Sequence, residues 1–88
     1  MRHMNAERLL NRILTGNVKN VRFRDMTRLC ERLGFSLQRT TGSHHIFSHN
    51  RIDEMLNLQE VRGEVKPYQV RQLVSMIRRY NLSLEDSS

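Results

Sequence analysis

Residues 35–48 read FSLQRTTGSHHIFS, and this stretch sets the fold class. Phe35, Leu37, Arg39 and Thr41 alternate with Ser36, Gln38 and Thr40, the period of two expected of a strand. Gly42-Ser43 supplies a tight turn, because glycine reaches backbone angles closed to other residues. His44 through Ser48, carrying Ile46 and Phe47, then reads as the return strand of a hairpin. His49-Asn50-Arg51 forms a polar break, and a third strand is expected within Ile52 to Val61, strongest over residues 55–59. Arg62-Gly63-Glu64 reads as a loop.

The flanks change to helical spacing. Upstream, Phe23, Met26, Cys30 and Leu33 fall on one side of a helix with Leu29 beside them, and Arg24, Arg28, Glu31 and Arg32 mostly take the other side. Gly34 closes that helix. An earlier helix starts at the cap residue Asn5, runs through Ala6, Leu9, Leu10 and Ile13, and stops before Gly16. Residues 16–21 read as a connector. Downstream, Pro67 suits the first turn of a helix striped by Val70, Leu73, Val74 and Ile77. The order is helix, helix, three strands, helix. Short turns between successive strands favour a three-stranded antiparallel sheet with helices on one face, an α+β fold. Without the extra N-terminal helix, this is the α-β-β-β-α layout of a double-stranded-RNA-binding-like domain.

The chain has 88 residues, enough for one domain, expected to span 5–84 with an N-terminal helical extension at 5–21. Residues 1–4 read as a cloning remnant and start, and residues 85–88 as a frayed tail. The formal net charge is +6, and of the 15 basic residues only Lys19 and Lys66 are lysine. Guanidinium groups pair with phosphate oxygens two at a time, so the balance points to nucleic acid or an acidic protein as partner. The single cysteine, Cys30, rules out an internal disulfide, fits a reducing cytoplasm and sits on the apolar helix face as a core residue. No apolar run approaches the roughly 20 residues of a membrane span.

Three of the four histidines, His44, His45 and His49, lie within six residues. A metal site is disfavoured. On a strand His45 and His49 share a face but stand about 13 Å apart, and His44 faces the other way. Asp53 and Glu54 are not fixed nearby, and no metal or other cofactor is expected. Nor does Ser43-His44 make a serine hydrolase, since the glycine elbow is missing. General acid–base chemistry is compatible with these residues. An imidazole titrates near neutral pH and can take the proton of a ribose 2′-hydroxyl. Arg39 and Lys66 are suited to hold the phosphate, and the backbone at Gly42-Ser43 allows close approach to it. Read from spacing alone, the histidines fit surface polar residues beside a turn better than they fit catalysis.

Gly42-Ser43-His44-His45-Ile46-Phe47 resembles the signature of the HicA toxins, also called the YcfA-like family. Leu33-Gly34-Phe35 and Arg39 match the usual run into it, Leu56-Asn57-Leu58-Gln59 resembles the third strand of one subgroup, and Lys66 through Leu73 resembles the closing helix. The resemblance spans roughly residues 22–80. It implies a cytoplasmic, metal-independent mRNA interferase of double-stranded-RNA-binding-like fold, neutralised by a HicB-type antitoxin that covers the active histidine. Carried onto this chain, the catalytic group is His44, the first histidine after Gly42-Ser43, with His45 the alternative because other members keep the second. The extension is the departure from the family pattern. Two other functions fit the same features: an RNA-binding module without catalysis, and an interaction protein whose basic face meets only an acidic antitoxin.

Overall fold

Asn5 opens the first helix as a side-chain cap: its Oδ1 accepts the Arg8 amide at 2.8 Å. In the computed structural model, which describes residues 5–85, this helix, α1, covers Ala6–Leu14. It buries Ala6, Leu9 and Ile13, as the helical spacing requires. The second helix, α2 (Phe23–Arg32), buries Met26, Leu29 and Cys30, and also Asp25 in its first turn. Gly34 then takes φ +100° and turns the chain into the sheet. The third helix, α3 (Pro67–Tyr80), has proline at its start and ends on Asn81 in the left-handed region, with Arg78 and Arg79 at its negative end.

Between α2 and α3 lie the three expected strands. We number the strands in chain order: β1 (Val21–Arg22), β2 (Phe35–Thr41), β3 (His44–His49), β4 (Ile52–Val61) and β5 (Glu64–Val65). All pairs are antiparallel, in the order β1-β5-β4-β3-β2. The sheet therefore has five strands instead of three, because the connector at 16–21 and the loop at 62–64 each give way to a two-residue strand. The reason is local: Arg62 and Gly63 both take positive φ, 54° and 78°, so β4 turns straight back onto itself in two residues. Glu64 and Val65 then pair with Val61 and Glu60, and Val21 and Arg22 pair with Val65 and Glu64. The polar break expected at His49 also shifts, since β3 continues through His49, whose ring is buried.

One face of the sheet carries Phe35, Phe47, Ile52, Leu56 and Leu58 and packs under α2 and α3. Leu73 and Met76 of α3 and Met26 and Leu29 of α2 close that core. The extension helix α1 packs on α2 and α3, so its apolar stripe continues the same core outward. Among the described residues no helix covers the other sheet face. Of the expected tail, Glu85 is held, its amide donating to the Arg32 carbonyl at 2.7 Å. Residues 86–88, like the start at 1–4, lie outside the described residues. Among the described residues no helix is long and apolar enough to cross a membrane.

Candidate active site on the open face of the sheet

The three clustered histidines go to three different environments. His49 is 7% exposed. Its Nε2 donates to the Leu33 carbonyl at 3.0 Å and its Nδ1 accepts the Arg51 amide at 3.1 Å. Both nitrogens are occupied, and the ring also meets Phe35 edge-on at 5.1 Å. His49 therefore ties the end of α2 to the β3–β4 turn and has no free atom for chemistry.

His45 points to the helix side, opposite Leu58 and Thr40. Its half-buried ring lies 4.4 Å from the Phe23 ring at the start of α2. Its Nδ1 donates to the Ser43 carbonyl at 3.1 Å, which braces the Gly42-Ser43 turn from beneath. His44 points the other way, onto the uncovered face, and is exposed. Its Nδ1 lies 3.3 Å from Asn57 Oδ1 on β4. An amide oxygen only accepts, so Nδ1 carries the proton and the Nε2 lone pair is left toward solvent.

Arg39 reaches that same face through a β-bulge. Leu37 pairs with Phe47 but Arg39 pairs with Ile46, so Gln38 is an extra residue on β2. Strict alternation would have put Arg39 on the helix side with Phe35. The inserted residue turns it over and sets it diagonal to His44, roughly 7 Å away. Gly42 takes φ +59° at the first position of the two-residue turn that joins β2 to β3. Lys66 lies farther off. Val65 pairs with Glu60 and His44 with Gln59, so continuing the register by one residue brings Lys66 level with Gln59 and His44. It stands two strands from His44, roughly 10 Å between α-carbons.

The structure thus gathers His44, Arg39, Gly42 and Ser43 at one end of the open face, with Lys66 across the same row, and turns the His45 and His49 rings to the opposite face. Three contributors escaped the sequence reading: Asn57, which orients His44; Phe23, which holds His45; and Gln38, which aims Arg39. Asn57 was discoverable from alternation, since it shares parity with Gln59 on β4, but only the strand register shows that it meets His44. Gln69 is a fourth: 4% exposed, it offers Oε1 to the Gln59 amide at 3.0 Å and seals the edge of β4 where β5 ends. Asp53 and Glu54 do not join the histidines. Glu54 Oε2 is taken by Arg79 at 2.6 Å and the Tyr80 hydroxyl at 2.9 Å, which locks the end of α3 to β4. Among the described residues no three His, Cys, Asp or Glu side chains converge on one point.

Burial pushes the Cys30 thiol far above its ordinary range, with the Glu31 carboxylate adding to the effect. Cys30 is a core side chain and not a nucleophile.

Comparison with protein families gives a match over residues 23–80 to the model of the HicA toxin of bacterial toxin–antitoxin systems. No curated protein matches the chain. No solved structure matches it either. The matched span takes in α2, all four strands that follow it and α3, and leaves out α1 and β1. With most of its length inside that family's domain and the family's fold around an exposed histidine, the chain belongs to the HicA toxins.

Proposed function

We propose that this toxin is a metal-independent endoribonuclease acting on mRNA, with His44 as its general acid–base group. The observation that carries the reading is the exposed His44 ring, its Nδ1 against Asn57 Oδ1, on a face it shares with Arg39. In this mechanism Nε2 takes the proton of a ribose 2′-hydroxyl. The 2′-oxygen forms a bond to the adjacent phosphorus while the bond to the 5′-oxygen breaks. The leaving oxygen takes a proton from the imidazolium or from water. The products are a 2′,3′-cyclic phosphate and a free 5′-hydroxyl. Arg39 and Lys66 stabilise the charge that builds on the phosphate oxygens, and Gly42 lets the strand lie close to the backbone at Ser43. His45 holds the turn that presents His44.

Membership in the family implies a cognate antitoxin. A HicB-type protein that covers the His44 face would silence the site by occlusion.

The test is cleavage of mRNA by His44→Ala beside His45→Ala, with end-group analysis of the products. His44→Ala is expected to lose about 10²–10⁴-fold in rate. His45→Ala is expected to lose less and to melt earlier, since it removes the tilted ring contact with Phe23. If both variants cleave like the parent, the assignment is wrong. If the order is reversed, His45 is the catalytic group. One observation favours the rival reading of RNA binding without cleavage. The one side-chain hydrogen bond of His44 among the described residues is to Asn57, an amide, so no second titratable group assists it. That reading predicts bound RNA with no cyclic phosphate.

A further inference from the structure

Beside the His44 row lies a surface pocket of about 470 Å³. Lys19 and Asn20 enter it from the segment before β1, Arg62 and Glu64 from the β4–β5 hairpin, and Lys66 and Pro67 from the start of α3. Three cations and one carboxylate therefore share one concavity. Among the described residues the ion pair found is Arg79–Glu54, at the other end of α3, so Lys19, Arg62 and Lys66 make no ion pair and the single Glu64 carboxylate leaves the concavity net positive. Like charges gathered in a pocket repel one another and raise the local concentration of anions.

Two further features favour an anion in the pocket. First, α3 is 14 residues long and its positive end opens here. Its cap residue, Lys66, makes no side-chain cap bond, and its first turn has no acidic residue, so the helix's own first turn does not offset its dipole. Second, Arg62 occupies the first position of the two-residue turn at φ 54°. Asn or Gly would sit there with less strain. The chain keeps a guanidinium where local backbone preference asks for a smaller residue.

We propose that this pocket is a second phosphate subsite. It receives a backbone phosphate of the same RNA strand, flanking the one cleaved at His44. The inference rests on the nuclease reading for the identity of the strand. Lys66 joins the two subsites, because its row continues through Gln59 to His44. Lys19 and Asn20 precede the family-matched residues, so the N-terminal extension supplies one of the three cations of the rim.

The probe is a fluorescent 2′-O-methylated single-stranded RNA of mixed sequence, which binds but has no 2′-hydroxyl to cleave. Anisotropy titrations across a salt series compare the parent with Lys19→Ala, Arg62→Asn, the double variant and Arg28→Ala. The last removes an exposed cation from α2, outside the pocket. The slope of log affinity against log salt is expected to fall by about 0.7 for each pocket cation removed and to stay parental in Arg28→Ala. Arg62→Asn is also expected to melt higher than the parent while binding more weakly, which a purely structural arginine would not do. Parental slopes in Lys19→Ala and Arg62→Asn overturn the subsite. So does equal competition by an oligoglutamate of the same charge. Cleavage of unmodified RNA is scored separately. A parent that cleaves but shows variant-insensitive slopes refutes the subsite alone. A parent with variant-sensitive slopes and no cyclic phosphate product supports the subsite and refutes the nuclease. A parent that does not bind RNA refutes both.

Discussion

At the residue scale, one side-chain type performs three tasks within six positions, and parity along the strand assigns them. His44 and His45 differ by one residue and so by one sheet face. His49 shares the face of His45 but meets the end of α2, where Leu33 and Arg51 use up both of its nitrogens. The packing around His49 sets a strict condition on Gly34. A β-carbon there would lie 2.7 Å from His49 Nε2, and the backbone already stands at φ +100°. Gly34→Ala is therefore expected to destabilise the fold by at least about 2 kcal/mol, read as a lower urea midpoint at unchanged slope. Cys30 allows an independent check of the core. With its thiol pushed up by burial, first through desolvation and then through Glu31, it is expected to ignore a disulfide reagent at mildly alkaline pH in the folded protein. Modification should then proceed only as fast as the chain opens. Rapid labelling of native protein would contradict the buried position.

At the element scale, the face presented by β2 depends on the count of residues and not on their kinds. The bulge at Gln38 can be tested with two deletions of equal length. Removing Gln38 leaves Leu37 opposite Phe47 and Arg39 opposite Ile46, so a regular strand forms with Arg39 still on the His44 face. Removing Thr40 also lets the bulge vanish, but it moves Arg39 opposite His45, on the helix side. RNA cleavage is expected to survive the first deletion and to fall in the second to the level of Arg39→Ala, with similar circular dichroism in both. Equal activity in the two deletions would mean that the facing of Arg39 has no part in the site. The same dependence on counting explains what was legible in advance. The three helices and three long strands announce themselves by period, through Leu9 and Ile13, Met26 and Cys30, and Phe47 against Leu56. β1 and β5 do not, because two residues cannot display alternation. The facing of Arg39 was hidden for a related reason: a bulge leaves the composition of a strand untouched and changes only its pairing. Lys66 could be assigned to phosphate from its charge, but its place in the His44 row needed the register of β5.

At the scale of the whole molecule, the extension is an integral part of the core. Leu9 and Ile13 are 1% exposed and join the cluster that includes Met76 and Leu73. Leu9→Ala is expected to cost about 2–5 kcal/mol, measured by chemical denaturation, although the residue lies outside the family-matched span. A value near zero would show α1 to be a detachable addition. The sheet order also leaves two outer strands, β1 and β2. A bare rim of backbone amides and carbonyls invites a foreign strand to dock and so to start a fibre. Here one rim is only two residues long, and the other is broken by an unpaired Gln38 with a guanidinium beside it. The irregularity that aims Arg39 therefore also spoils the template along which copies of the chain could zip together, and a toxin freed from its antitoxin keeps its sheet to itself.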